Sequence, residues 1–303
     1  MKRTFKIGIW FLVVGVILIM IGAITHSFRD VTYNKNFRPE LAQTKTVTKH
    51  VKAFDTLTVN LKSSQLRVKE GDQFRVQMRG ESKALPTVEQ TGKTLKITQH
   101  RSENQHVQWG FENNEGGLIN FSANDGKMAD RTVVVTVPRG TKLNVINAHN
   151  DDGSIRMTDV STKKLTVNSN SDVSLETMTI KKPTTIKADG VYVENVTLTN
   201  PQITSSDDVA LKNVTLNQGT IKLNNGDFRM HDGSFTGVVS VFNDDGDNTV
   251  VGADHSKGYI ISHTSGGNAL FDQANSDGGQ LQQNETNADR LQLNTNDGDN
   301  SVK

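Results

Sequence analysis

Apolar residues recur every 18 positions between Ser154 and Phe235. They form four columns: Ile155, Val173, Val191 and Val209; Met157, Leu175, Val193 and Leu211; Val160, Met178, Val196 and Val214; and Thr162, Ile180, Leu198 and Leu216. The next repeat slips by one residue, to Phe228, Met230, Gly233 and Phe235. Self-similarity at a fixed period is typical of a stacked repeat, in which each unit buries its apolar face against its neighbours.

The spacing within one repeat distinguishes strands from a helix. Apolar residues fall at i, i+2, i+5 and i+7, which are two alternating pairs broken by a bend, whereas an amphipathic helix repeats at i, i+3, i+4 and i+7. β-branched residues, Leu and Met dominate the columns, and Asp, Asn, Gly and Ser fill the turns, as expected for strands and tight turns. The sequence therefore predicts an all-β fold, a β-solenoid or β-helix-like stack with coils of about 18 residues.

The predicted solenoid runs over residues 143–303. Its last coil contains Leu291-Gln292-Leu293 and the turn Asn296-Asp297-Gly298-Asp299, and its polar character suits the cap that an open solenoid end requires. Residues 54–142 contain shorter alternating segments separated by turn signals. We expect them to form a β meander that leads into the solenoid.

An insertion at residues 101–130 interrupts this rhythm. It is rich in Asn, Gly and Glu, yet it contains Trp109, Phe111 and Phe121. Long segments without periodicity are uncommon in compact domains and are often functional, and exposed aromatic side chains stack on sugars or anchor protein interfaces. These three residues are the predicted partner contacts. The alternative is that they fold back and cover the beginning of the solenoid.

The N-terminus predicts a membrane anchor. Residues 7–25 begin with an uncharged apolar run that is long enough to cross a bilayer as a helix. Three basic residues precede it, so residues 1–6 are expected in the cytoplasm and the rest of the chain outside the cell. A cleaved signal peptide is the alternative, but its apolar region would be shorter and would end in a small-x-small site. Residues 26–53 would form a polar stalk.

The amino-acid composition excludes several kinds of functional site. The chain has no cysteine, which excludes disulfides, thiolate metal sites, a cysteine nucleophile and a lipid-modified cysteine anchor. Lys and Arg number 34 against 33 Asp and Glu, and this balance gives no reason to expect nucleic acid as a partner. The eight histidines are scattered, and no H-x-H, H-E-x-x-H or G-x-S-x-G motif occurs. We therefore expect no catalytic residues and no cofactor.

Acidic residues concentrate in the turns. If the coils stack about 4.8 Å apart, these carboxylates form a column that would attract Ca²⁺, which takes about 6–8 oxygen ligands. The candidate ligands are Asp245, Asp247, Asp297 and Asp299. Neither of their turns is followed by the Gly-Gly-x-Gly-x-Asp repeat of calcium-binding β-rolls, and Asp also stabilises tight turns locally. A structural role in the turns is the preferred interpretation, with calcium as the alternative.

Several segments resemble a known family. They are residues 54–59 (FDTLTV), 66–72 (LRVKEGD), 133–138 (VVVTVP), 143–145 (LNV) and 150–155 (NDDGSI). With these segments the chain resembles the putative-adhesin family of bacterial β-strand-repeat proteins, which includes LiaG-like envelope proteins of Gram-positive bacteria. The resemblance covers residues 54–303 and implies an exported, non-enzymatic envelope protein, with a link to wall or membrane stress. It supplies no catalytic residues, and the insertion departs from the family pattern.

These observations predict a single-pass protein of the bacterial cell membrane with an extracellular β domain. Its expected role is non-catalytic, either display in the manner of an adhesin or a part in envelope stress. The expected partners are a cell-wall polymer or an envelope protein, and the membrane through the N-terminal helix. A calcium-stabilised binding module is one alternative. The other is a β-helix enzyme acting on polysaccharide, which would need acids, a base and sugar-stacking aromatics on one outward face.

Overall fold

The computed structural model describes residues 44–100, 131–275 and 279–303, together with residues 10, 14 and 15 and the backbone of residues 31–33 and 39–41. Residues 10, 14 and 15 are helical, but most of the predicted anchor lies outside the described residues, as does the whole insertion. Within the part of the chain that is described, no helix is long and apolar enough to cross a membrane.

The described regular structure is almost entirely strand. The first ten strands are β1 Val31–Tyr33, β2 Pro39–Leu41, β3 Thr44–His50, β4 Thr56–Leu61, β5 Gln65–Gly71, β6 Arg75–Glu81, β7 Thr87–Thr91, β8 Thr94–Thr98, β9 Thr132–Pro138 and β10 Lys142–Asn150. The next ten are β11 Ile155–Thr158, β12 Ser161–Ser169, β13 Val173–Glu176, β14 Thr179–Ile180, β15 Thr184–Ala188, β16 Val191–Glu194, β17 Thr197–Thr199, β18 Gln202–Ser205, β19 Val209–Lys212 and β20 Thr215–Leu223. The last nine are β21 Phe228–His231, β22 Ser234–Asp245, β23 Asn248–Val251, β24 Gly258–Ser265, β25 Asn268–Leu270, β26 Gln273–Asn275, β27 Gly279–Gln283, β28 Arg290–Asp297 and β29 Asn300–Val302.

Two compact units divide the chain. In the smaller unit, which includes residues 1–44, strands β1 and β2 form an antiparallel ribbon. The larger unit, which includes residues 131–303, contains two long sheets. We name as sheet I the one of 14 strands that contains β10, β12 and β20, and as sheet II the one of 13 strands that contains β11, β13 and β16.

Each coil of the larger unit passes through both sheets. The chain leaves sheet I at a turn that we name the first corner, crosses sheet II, and returns to sheet I through the second corner. Neighbouring coils pair in parallel, with Ile155, Val173, Val191 and Val209 in direct register. The predicted β-solenoid is thus confirmed as an all-β stack of coils, and the four apolar columns point into its core.

Sheet I contributes a further inward column that the 18-residue pattern did not reveal. It consists of Ile97, Val59, Ala148, Val167, Ile186, Ile203, Ile221, Val241, Leu293 and Ile261, all in register between neighbouring coils and all nearly inaccessible to solvent. A bend splits sheet I between β14 and β15 and again between β17 and β18. This bend changes the spacing between apolar residues, and so the column escapes a search for simple alternation.

The first coils differ from the predicted meander. β4 pairs in parallel with β8 and β10, and β5 pairs in parallel with β9 and β11. Residues 54–142 therefore already contain two solenoid coils, and the later one lies outside the earlier one. β6 and β7 are antiparallel to β9 and β8 and end the stack, with β3 beside β6. Alternation did not reveal this because parallel and antiparallel strands share the same two-residue period.

The C-terminal residues do not form the predicted cap. β28 lies between β22 and β24, and β29 lies between β23 and β25, so the last coil in sequence is the last but one in the stack. Leu291, Leu293 and Val302 are consequently inaccessible to solvent. The outermost coil is that of β24 and β25, and the antiparallel strands β26 and β27 cover it. The polar residues of β27 form an edge, which suits a solvent-exposed position.

A buried row of asparagines holds this insertion of the last coil in register. Asn248 donates to Asn300 (Nδ2 to Oδ1, 2.8 Å), and Asn300 donates to Asn268 (Nδ2 to Oδ1, 2.9 Å). All three are at most 2% exposed, and they occupy the column that Phe228 and Val209 fill in earlier coils. Buried amides are stable only when they are hydrogen-bonded, so each asparagine requires the next one above it.

Candidate binding surfaces

The first corner carries the acidic column expected from the sequence. Asp208 accepts a hydrogen bond from the backbone N–H of Asp227 (2.8 Å), and Asp227 accepts one from Asp247 (2.9 Å). The series continues with Asp247 accepting from Asp299 (2.8 Å) and Asp299 accepting from Gly267 (2.7 Å). Each carboxylate thus binds the turn of the next coil, which is the local stabilising role that Asp has in tight turns.

The four calcium candidates lie in two neighbouring coils. Asp245 and Asp297 are in register across the sheet. Asp247 and Asp299 each accept a hydrogen bond from a backbone N–H through one carboxylate oxygen. In residues 44–100, 131–275 and 279–303 there is no group of three or more His, Asp or Glu side chains placed to hold a metal ion. Calcium therefore stays a prediction, and the observed contacts are those of structural turns.

Ion pairs connect charged side chains on the outer surface of sheet II, most of them on neighbouring coils. Arg156 binds Glu176 (2.6 Å), Lys212 binds Glu194 (2.9 Å), and Arg229 binds both Asp208 and Asp227. The hydrogen bond from the Arg156 guanidinium lowers the pKa of Glu176 below its ordinary value. Between β11 and β21 the charges on this surface are therefore largely matched within the protein.

The outer surface of sheet I has a different chemistry. We name as the ladder face its two outward columns between β10 and β28. The first column is Asn147, Thr166, Thr185, Gln202, Thr220, Ser240 and Gln292, and the second is His149, Asn168, Lys187, Thr204, Lys222, Phe242 and Asn294. Hydroxyl and amide groups dominate the ladder face, and none of its fourteen residues is acidic.

The ladder face is a regular grid of hydrogen-bonding groups. Its rows follow the coil spacing of about 4.8 Å, and residues two apart on one strand are about 6.7 Å apart. Each Asn or Gln offers both a donor and an acceptor, and each Thr or Ser offers a hydroxyl that can do either. Because parallel coils keep the same register over the stack, the grid repeats along one direction.

One aromatic side chain projects from this grid. Phe242 is 45% exposed and lies between Lys222 and Asn294 of the adjoining coils. Neither Lys187 nor Lys222 forms an ion pair with another described residue. An exposed phenyl ring beside free ammonium and amide groups can stack on an apolar ring face while its neighbours form hydrogen bonds.

The other exposed aromatic among the described residues of the larger unit has acidic surroundings. Tyr192 is 43% exposed and projects from sheet II between Ser174 and Ala210. Partial burial and then the carboxylates of Asp172, Asp208 and Asp207 raise its pKa above the ordinary value. Tyr192 therefore provides a natural control for Phe242, with similar exposure but a different electrostatic environment.

The bend within sheet I carries a group of lysines. Lys163 and Lys164 lie on β12, and Lys181 and Lys182 lie in the same position one coil later, between β14 and β15. We name these four residues the lysine bend. All four are exposed, and no ion pair links any of them to another described residue. The chain thus separates acids at the first corner from lysines at the bend.

Comparison with known proteins identifies the family. Residues 54–303 match the sequence profile of the family described as Toastrack DUF4097. The chain belongs to this family. The predicted kinship with adhesin-like β-strand-repeat proteins is thereby confirmed. No curated protein matches the chain.

Three solved structures are similar to this Toastrack chain. A protein of Bacteroides fragilis described as a "putative adhesin" is 13% identical with a TM-score of 0.46, and covers 86% of this chain and 97% of its own. A "putative cell adhesion protein" of Clostridium sporogenes is 10% identical with a TM-score of 0.21, covering 86% and 99%. A "putative lipid binding protein" of Parabacteroides distasonis is 10% identical with a TM-score of 0.35, covering 86% and 97%.

The predicted partner contacts fall between two strands of the Toastrack fold. Trp109, Phe111 and Phe121 lie outside the described residues, in the part of the sequence between β8 and β9. Described residues on either side of them are hydrogen-bonded to the first coil: Gln99 accepts the backbone N–H groups of Lys62 and Ser63 (both 3.1 Å), and Arg131 donates to the Ser63 hydroxyl (2.9 Å). The ladder face and Phe242 were missed by sequence reasoning, because outward polar residues carry no apolar period.

Proposed function

We propose that this Toastrack chain is a membrane-anchored binding protein of the bacterial cell envelope, and that its ladder face holds a cell-wall polymer. Residues 7–25 would anchor it as a single-pass helix, with residues 1–6 in the cytoplasm and the β domain outside. The coils would act as a rigid scaffold for display, and their function would be binding without catalysis.

The observation that carries this proposal is the absence of acid from the ladder face. The chain as a whole has almost as many acidic as basic residues, yet the fourteen residues of this surface include two lysines and no carboxylate. Cell-wall glycans present hydroxyl and amide groups, and many wall polymers are anionic. A grid of neutral donors and acceptors with one exposed phenyl ring suits the first property, and the lack of repelling carboxylates suits the second.

The same observation supports a non-catalytic role. Glycoside hydrolysis normally needs two carboxyl groups on either side of the scissile bond, about 5–9.5 Å apart. The fourteen residues of the ladder face offer none, and Asp208, Asp227 and Asp247 of the first corner accept hydrogen bonds from neighbouring turns. The carboxylate paired with a ladder-face residue is that of Asp151, 2.8 Å from the ring of His149, and it is one carboxyl group where the reaction needs two. Turnover of a wall glycan that one acidic substitution abolishes would overturn this part of the proposal.

Co-sedimentation with purified wall material tests the proposal. Full-length protein in detergent micelles is mixed with isolated sacculi, and the bound fraction is measured for the wild type, Phe242→Ala and Tyr192→Ala. We expect the wild type and Tyr192→Ala to sediment equally, and Phe242→Ala to bind at least several-fold more weakly. Failure of the wild type to sediment, or an equal loss in both variants, would contradict binding at the ladder face.

A further inference from the structure

The lysine bend has a backbone that the fold holds in place. The N–H of Lys182 donates to the carbonyl of Lys163 in the neighbouring coil (2.8 Å). Beneath the bend, the buried hydroxyl of Thr162 donates to the carbonyl of Lys164 (3.1 Å). Pro183 follows Lys182 directly, and a proline restricts both its own backbone and that of the residue before it. The four lysines therefore start from fixed positions.

The charges of the bend are not neutralised by their own coils. The acids of these two coils lie elsewhere: Asp159 is at the second corner, Glu176 is bound to Arg156, and Asp172 and Asp189 are at the first corner. Lys187 lies on the same coil as Lys182 and on the ladder face. Five ammonium groups thus lie on two adjacent coils, about 4.8 Å apart along the stack.

We propose that the lysine bend binds a linear polyanion, a polymer that carries phosphate or carboxylate groups along its length. Lysine is a flexible point charge that binds phosphate well, and two lysine pairs on successive coils present positive charge at the spacing of the coils. Because the backbone of the bend is already ordered, binding does not carry the additional entropic cost of ordering a loop. The inference rests on the proposed function, since it names the charge of the polymer that the ladder face would hold.

A polymer fits these observations better than an anionic lipid surface. Peripheral binding to membranes combines basic residues with apolar side chains that enter the interface. In the described part of the larger unit, the exposed large apolar side chains are Tyr192 and Phe242. Tyr192 is on the other sheet, and Phe242 is three coils away from Lys181 along sheet I. The lysine bend thus offers charge without an apolar anchor.

Titration with long-chain inorganic polyphosphate tests this inference. Full-length protein in nanodiscs of neutral lipid is titrated at several salt concentrations, and binding of the wild type is compared with a variant that combines Lys163→Gln, Lys164→Gln, Lys181→Gln and Lys182→Gln. The matched control combines Lys45→Gln, Lys49→Gln, Lys69→Gln and Lys303→Gln, which removes the same charge elsewhere. A thermal melt of each variant verifies folding.

We expect the bend variant to bind polyphosphate at least tenfold more weakly, with a shallower salt dependence because fewer counterions are released, while the control variant binds like the wild type. Equal losses in both variants, or no binding by the wild type, would overturn the proposal. The same proteins are also tested with vesicles rich in phosphatidylglycerol. Binding to these vesicles but not to polyphosphate would show that the lysine bend recognises an anionic lipid and not a polymer. Polyphosphate contains no glycan, so the two proposals can fail separately. The protein can bind sacculi without binding polyphosphate, or bind polyphosphate without binding sacculi.

Discussion

Single carboxylates at the first corner act as braces between coils. Asp247 belongs to one coil and binds the backbone N–H of Asp299 in the coil above, so one side chain orders two turns. Such a contact resembles a helix cap, in which a side-chain oxygen satisfies a backbone donor. This local function gives the acidic column a structural role that does not require a metal, although each carboxylate adds negative charge beside the next.

Removing one brace should have a measurable cost. Asp247→Ala leaves the N–H of Asp299 to water, and we expect the free energy of unfolding to fall by up to about 1 kcal/mol. Asp247→Asn keeps an acceptor oxygen and should cost less. Urea denaturation of the three proteins gives the comparison. The braces should also make the melting temperature independent of EDTA; a drop with EDTA that Asp247→Asn removes would favour the calcium alternative.

A second residue-scale effect depends on pH. The Lys62 ammonium, 2.7 Å from Asp151, lowers the pKa of that carboxyl below its ordinary value of 3.8. The pair therefore stabilises the fold above pH 3.8, and this contribution is lost as the pH falls through the lower pKa of the folded state. Because both side chains are about one-third exposed, the effect should be below about 1 kcal/mol. We expect Asp151→Asn to be less stable than the wild type at pH 7, with a difference that shrinks as the pH is lowered below 3.8 in urea titrations; an undiminished difference at low pH would contradict the ion pair.

At the scale of strands and coils, the order of stacking differs from the order in sequence at both ends. The coil of β28 and β29 is inserted between two earlier coils, so its apolar residues belong to the core. Leu293→Ala should then reduce the free energy of unfolding by about 2–5 kcal/mol, as for other large-to-small core substitutions. Gln282→Ala, on exposed β27, serves as the control and should change it by less than about 0.5 kcal/mol. A loss below about 1 kcal/mol for Leu293→Ala would instead fit a frayed terminal coil.

The limits of sequence reasoning are clearest at this scale. Ile155, Val173, Val191 and Val209 were found because successive coils of constant length repeat their apolar residues at a constant interval. The exchange of coils at the ends could not be found that way, because Leu293 has the same alternating neighbours whether its coil is last or last but one. The sequence alone does not distinguish the buried asparagine row from a set of turns, since Asn is also common in turns.

The candidate surfaces were less accessible to prediction than the core. The acidic turns could be predicted from the sequence because Asp recurs beside Gly and Asn. These residues stabilise the turns through hydrogen bonds such as that from the backbone N–H of Asp227 to Asp208. The ladder face could not be predicted from the sequence. It is defined by its lack of acidic residues, and this is recognisable only once Thr185, Thr220 and their neighbours are known to share one side of a sheet. Trp109, Phe111 and Phe121 remain predicted contacts.

In the larger unit as a whole, charge is distributed by surface. Acids occupy the first corner, ion pairs match the charges of sheet II between β11 and β21, the ladder face has no acidic residue, and lysines lie at the bend. A solenoid allows this separation because every coil places the same position on the same side. We expect the binding of wall polymer to be confined to the side that lacks acid, with the opposite side serving to stabilise the stack.

Two threonines provide the most direct measurement of this claim. Thr220 lies on the ladder face between Gln202 and Ser240, and Thr249 lies on the outer surface of sheet II between Arg229 and Ser301; both are half-buried in their strands. Thr220→Glu and Thr249→Glu therefore add the same charge in similar settings. In equilibrium binding to isolated sacculi, the account predicts at least a tenfold loss of affinity for Thr220→Glu and wild-type affinity for Thr249→Glu. Equal affinities for the two variants, or a larger loss for Thr249→Glu, would contradict it.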